Sequence, residues 1–119
     1  MSDVIIYHNP SCSKSRAALG ELSERPLAVE VVEYLKQPLD RDGFGAILDI
    51  LEDPPRDLVR HDARFKELGL DPSAYDDRDA VIDLLVEHPE LMQRPIVVRG
   101  GRAVIARADG IVAGLVDTP

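Results

Sequence analysis

The sequence predicts an α/β domain: a small mixed four-stranded sheet flanked by helices and carrying a helical insertion. Three observations predict it. Short runs rich in β-branched residues stand at 4–7, 29–34, 96–98 and 103–106, the length and composition of buried strands. The stretch between the second and third runs has its apolar residues at helical rather than alternating spacing. The last two runs are joined by Gly100-Gly101, a two-residue hairpin signal. A chain of 119 residues holds one ordinary core, so residues 1–119 read as a single domain.

Each element follows in order. Residues 4–7, VIIY, form the first strand. Asn9-Pro10 signals a turn, and Ser11 is the expected N-cap of a helix over 13–23 whose Ala18, Leu19 and Leu22 face the core. Arg25-Pro26 ends that helix. The second strand covers 29–34. A helix over 41–51 carries Phe44, Ile47, Leu48 and Leu51 on one side. Asp53-Pro54-Pro55 breaks it and starts a short helix over 56–60, with another turn or two over 62–68. After a loop over 69–77, Asp77 caps a helix bearing Val81, Leu84 and Leu85 that stops at His88-Pro89. The third and fourth strands follow, and a final helix spans 109–116. This order, β-α-β, helical insert, β-β-α, resembles a thioredoxin-like sheet with helices on both faces.

Charge narrows the function. Lysine and arginine number 14 against 22 aspartates and glutamates, a formal charge of −8. That field repels polyanions, so neither nucleic acid nor an anionic membrane is an expected partner. A small anion remains possible as a substrate, because a local arginine cluster overcomes a screened background. No apolar run reaches the ~18 residues of a membrane span. The first residues lack a basic region followed by an apolar one, the pattern of a secretion signal. A free thiol then makes the reducing cytoplasm the expected location.

The chain has one cysteine, in the stretch HNPSCSKSR. One cysteine excludes an internal disulfide and a Cys-x-x-Cys redox pair. A free cysteine has a pKa of about 8.5 and is mostly protonated at neutral pH. At the first turn of a helix, unpaired N–H groups and the positive dipole end favour the thiolate, and the same groups cradle an incoming anion. Ser13 and Ser15 are expected to donate to the sulfur, and His8 or Arg16 to add charge. The opposing reading is a structural cysteine, a residue type that is often buried. The spacing disfavours phosphatases of the Cys-x5-Arg type: position 18 is alanine, and the first arginine after Cys12 is Arg16. The histidines, at 8, 61 and 88, have no ligand spacing, so no metal is expected.

The segments YHNPSCSKSR, DLVRHD, HPELMQRPIVV and VIARADGIV together resemble the single-domain arsenate reductases that depend on glutathione and glutaredoxin. The resemblance runs in order along almost the whole chain. It implies a thioredoxin-like fold, with Cys12 as nucleophile and Arg60, Arg94 and Arg107 as the arginines that hold the oxyanion. It implies that His8 and Ser15 lower the thiol pKa, and it draws Asn9 and Arg16 into the substrate loop. Taken singly, Arg60 is also a plausible solvated residue beside Arg56, Arg94 a loop residue, and Arg107 a strand end. Arginine suits the role the resemblance gives, because its planar fork binds oxyanions bidentately with permanent charge. An arginine before proline facing the cysteine is also the position where this fold often has a cis bond.

The activity so implied is reduction of arsenate to arsenite through an arsenic–sulfur adduct on Cys12. No cofactor is bound. Glutathione is the co-substrate, and glutaredoxin completes the reduction, because the chain has no second cysteine to do so. Ser13-Lys14 departs from the small pair common after the nucleophile in these enzymes, which leaves the roles of Lys14 and of His61 open. Two other readings fit the same residues. One is a monothiol oxidoreductase acting on glutathione mixed disulfides. The other is a non-enzymatic, RNA-polymerase-binding regulator of the Spx type, though such proteins usually carry the Cys-x-x-Cys that this chain lacks.

Overall fold

In the computed structural model, residues 2–117 are described. The strands are β1 (Val4–His8), β2 (Val29–Glu33), β3 (Ile96–Arg99) and β4 (Arg102–Ile105). The helices are α1 (Ser13–Ser23), α2 (Arg41–Ile50), α3 (Ala63–Glu67), α4 (Arg78–Glu87) and α5 (Ile111–Val116), with short 3-10 turns at Pro55–Leu58, Pro72–Ala74 and Pro89–Leu91. The sheet order is β2-β1-β3-β4. β2 runs parallel to β1, joined through α1, while β3 is antiparallel to β1 and β4 to β3. This is the expected mixed four-stranded sheet.

The period-2 alternation of β1 divides the core. Val4 and Ile6 pack with Ala18 and Leu22 of α1, Val97, Val104, and Val112, Leu115 and Val116 of α5. Tyr7 points the other way, toward Phe44 and Ile47 of α2, Val81, Leu84 and Leu85 of α4, and Ile96. The helices therefore cover both faces, and each fully buried aliphatic side chain contributes roughly 1.5–3 kcal/mol. Asp40, Asp62 and Asp77 each accept a hydrogen bond from a backbone N–H of the first turn that follows, caps that stabilise by about 1 kcal/mol apiece.

Several boundaries differ from expectation. β2 stops at Glu33, and Tyr34 lies in the turn beyond it. The short helix after Asp53-Pro54-Pro55 is the 3-10 turn Pro55–Leu58 and does not include Arg60. Proline at its start supplies φ but no N–H, and the chain is already extended at Val59. α5 begins at Ile111 rather than at 109, because Gly110 adopts a left-handed φ of 85° that a longer helix would not allow. Gly100 turns the β3–β4 hairpin with φ 60°, a conformation costly for other residues. No helix among the described residues is long and apolar enough to cross a membrane.

Candidate active site

Strand register sets the site. Tyr7 pairs with Ile96, and Ile96 with Ile105. The next rung two residues on consists of Asn9, Arg94 and Arg107, just past the strand ends. β1 leads directly through the 9–12 loop into α1. One end of the sheet thus collects Cys12, Arg94 and Arg107 from three separate segments.

The loop is held by its own polar groups. The Asn9 side chain accepts from Ser11 N at 3.0 Å, and its carbonyl accepts from Cys12 N at 3.0 Å. Arg16 Nη1 donates to the Pro10 carbonyl at 2.9 Å. The N-cap of α1 is Cys12 itself, with extended backbone at φ −97°, ψ 124°, and not Ser11. The Asn9 side chain takes up the Ser11 N–H in the preceding turn, and the cap falls one residue later than expected while the helix itself starts at Ser13 as expected. The change matters chemically, because an N-cap side chain points at the free N–H groups of the first turn.

Those groups and two arginines act on the sulfur. Burial pushes the Cys12 thiol up. The backbone N–H of Ser15, the Arg94 side chain, the Lys14 N–H and the Arg107 side chain outweigh it, and bring the thiol down to about 7. Arg107 Nη1 lies 3.8 Å from Sγ and also donates to the Arg94 carbonyl at 2.9 Å. Arg94 precedes Pro95 through a cis peptide bond, as the motif leads one to expect. Cys12 is nearly buried, at 9 % exposure. A thiol at this pKa is about half ionised at neutral pH, and its thiolate is the reactive form.

The side chains of His8 and Ser15 bond to each other rather than to the sulfur. By β1 alternation His8 shares a face with Val4 and Ile6, beneath α1. Its Nδ1 is hydrogen-bonded to Ser15 Oγ at 2.9 Å, and the same hydroxyl accepts from Asn9 N at 3.0 Å. The Ser15 hydroxyl is therefore engaged away from sulfur, and Ser15 reaches Cys12 through its backbone N–H. Ser13 is exposed. Burial lowers the His8 pKa, against an upward pull from Glu33 and with Arg16 lowering it further. The ring is neutral at pH 7 and brings no positive charge. Arg16, bonded to the loop carbonyl, is exposed. His8, Asn9, Ser15 and Arg16 hold the shape of the loop.

Arg60 enters through a separate backbone pairing. An antiparallel bridge joins Val59 to Met92, with Arg60 N donating to the Leu91 carbonyl and Gln93 N to the Leu58 carbonyl. This lays Arg60 beside the segment leading to Arg94. Its guanidinium is paired with Asp62 at 3.1 Å.

Tyr34 was not singled out from the sequence. It follows β2, where His8 pairs with Glu33, and is only 2 % exposed. Its hydroxyl is buried without a hydrogen bond, and so is Arg94 Nε. Burial raises the Tyr34 pKa, and Arg94 and Asn9 stand near enough to pull it down, while Cys12 raises it. Buried polar groups without partners are uncommon. Two beside one thiolate are a feature of this site that YLKQ, an ordinary strand end, does not announce. No group of metal-ligating side chains occurs among the described residues.

With this geometry in hand, known proteins give a consistent comparison. The model of the ArsC family matches residues 7–113. An arsenate reductase of Neisseria meningitidis serogroup A is 44% identical over 109 residues, covering 90% of this chain and 92% of that protein. The Escherichia coli K12 protein YfgD is 44% identical over 106 residues, covering 87% and 88%. The solved structure of an arsenate reductase from Vibrio cholerae superposes with a TM-score of 0.84 at 35% identity, covering 95% of this chain and 97% of that one.

Proposed function

The chain belongs to the ArsC family, and on that premise we propose that it reduces arsenate to arsenite through a covalent bond between arsenic and Cys12. The observation that carries this reading is a cysteine at the N-cap of α1 with Arg107 Nη1 3.8 Å from its sulfur and that same nitrogen fixed by the Arg94 carbonyl, where the thiol is held down to about 7. Those groups stabilise a thiolate, and a thiolate flanked by fixed donors is suited to an anionic electrophile.

In the proposed cycle Arg94 and Arg107 hold the oxyanion against Cys12, and Arg60 joins them by exchanging Asp62 for an arsenate oxygen. The Cys12 thiolate forms the sulfur–arsenic bond while one oxygen leaves as water, taking a proton from solvent. Glutathione then forms a second sulfur–arsenic bond, and its thiol proton leaves with another oxygen as water. Arsenic is still pentavalent. A glutaredoxin thiolate attacks the glutathione sulfur, the electron pair of the sulfur–arsenic bond falls to arsenic, and a mixed disulfide departs. Water finally cleaves the Cys12–arsenic(III) bond to give arsenite and the free thiol. Two thiols supply the two electrons, which is what a chain with one cysteine requires. Tyr34, protonated at neutral pH and without a hydrogen-bond partner among the described residues, donates to the bound oxyanion.

The test is arsenate-dependent NADPH oxidation by the protein with glutathione, glutaredoxin and glutathione reductase. Turnover that needs arsenate, disappears in Cys12→Ser and falls at least tenfold in Arg94→Ala supports the reading. A folded protein whose thiol is reactive but which shows no turnover would overturn it in favour of monothiol chemistry on glutathione mixed disulfides.

A further inference from the structure

Next to Cys12, and separated from it by Arg107, is a groove of about 420 Å³, within the ~300–1,000 Å³ range of small-ligand sites. One wall is the segment after α2. Leu51 bridges to Ala103, Glu52 N donates to the Ala103 carbonyl, and the Asp53 carboxylate accepts from Ile105 N at 3.2 Å. That segment is thus pinned to the free edge of β4. The other wall is Gln93 and the turn from Arg107 to Ile111.

The charges in the groove are balanced and loosely held. Among the described residues, Asp53 has that backbone N–H as its one hydrogen-bond partner. Arg56 and Asp57 approach each other no closer than 4.0 Å, and both are about half exposed or more. Gln93, in the groove wall, has its Oε1 buried without a hydrogen bond. An inorganic oxyanion would not need two carboxylates in its site. A zwitterionic peptide would, with an ammonium group for the acids and a carboxylate for the arginine.

We propose that this groove is the docking subsite of the tripeptide thiol, with Asp53 and Asp57 receiving the α-ammonium group of glutathione and Arg56 a carboxylate. Gln93 Oε1 takes a peptide N–H. Arg107 is shared between the groove and Sγ, so a thiol carried by a peptide seated here arrives on the side of Cys12 where the adduct forms. The inference rests on the reading that an external thiol completes the reduction.

Binding can be measured without arsenate, using S-methylglutathione, which cannot react. In an amide nitrogen–proton correlation spectrum of the full chain, titration should shift the signals of Asp53, Arg56, Gln93 and Ala108. Arg56→Glu and Asp53→Asn should each weaken the titration at least tenfold. In thiol-driven turnover, the preference for glutathione over 2-mercaptoethanol should fall by a similar factor. Asp53→Asn retains an oxygen for Ile105 N, so the wall should remain folded. Shifts confined to another surface, no shift at millimolar ligand, or equal losses with both thiols would overturn the proposal. Binding at the groove by a protein that fails to reduce arsenate would leave the subsite standing and remove only arsenate as substrate.

Discussion

Arg107 and Cys12 lie 95 positions apart in sequence, yet the guanidinium Nη1 stands 3.8 Å from the sulfur. The same nitrogen is fixed by the Arg94 carbonyl at 2.9 Å, so its charge cannot drift from the thiolate without breaking that bond. Removing it should cost the thiolate one of its four supports, beside the Ser15 and Lys14 N–H groups and Arg94.

The thiol of the wild type should therefore titrate at about 7. Below that pH the sulfur is protonated and alkylation slows; above it the rate reaches a plateau. Arg107→Ala should raise the midpoint by roughly one unit, the usual size of one nearby opposite charge. Thiolate absorbance at 240 nm against pH measures both. An unchanged midpoint would mean that the helix N–H groups and Arg94 hold the charge without Arg107.

Ser15→Ala should act on stability rather than on the thiol. The hydroxyl is fully buried and satisfies both Asn9 N and His8 Nδ1. Leaving the buried His8 ring nitrogen and the part-buried Asn9 N–H without that partner costs about 1–3 kcal/mol, and a clear fall in Tm should follow. The Ser15 N–H remains in place, so the thiol midpoint should stay near the wild-type value. A large rise in that midpoint would restore the sequence-based expectation that the hydroxyl serves the sulfur.

His8 predicts a pH dependence of stability. Burial holds its pKa below the unfolded value of 6.5, so the unfolded chain binds the proton more readily. The contribution of neutral His8 is complete above pH 6.5 and is lost as pH falls through the lower folded value. Thermal unfolding from pH 5 to 8 should show Tm dropping on the acid side, with a shallower drop in His8→Gln.

Much of this was readable in the chain. Residues 13–23 are helical and residues 96 onward form a hairpin around Gly100-Gly101 as expected, because apolar period and turn chemistry are local signals. The family motifs pointed to Cys12, Arg94 and Arg107 before strand register brought them together. Other features depend on three-dimensional pairing. Whether Ser11 or Cys12 caps α1 is decided by the Asn9 side chain, and the Ser15 hydroxyl is diverted by His8 from the opposite side of the loop. Tyr34 acquires its unpartnered hydroxyl only because β2 ends beside Arg94. The groove beside Arg107 exists because Leu51 to Asp53 is laid along β4, which no periodicity in residues 41–58 encodes.

Tyr34→Phe separates the site from the fold. Deleting a buried hydroxyl that has no partner should leave stability within ~0.5 kcal/mol of wild type or raise it. The apparent affinity for arsenate should fall several-fold in steady-state kinetics. Loss of stability without a change in affinity would assign the hydroxyl to the core alone.

The central claim is that Cys12 is an oxyanion-directed nucleophile, and its most direct test is the rate of Cys12 alkylation by iodoacetamide at pH 7 against arsenate concentration, read by intact-mass spectrometry. Saturable protection by arsenate, weakened at least tenfold in Arg94→Ala and not reproduced by chloride at equal ionic strength, is the predicted result. A thiol that titrates at about 7 but is alkylated at the same rate at every arsenate concentration would contradict it.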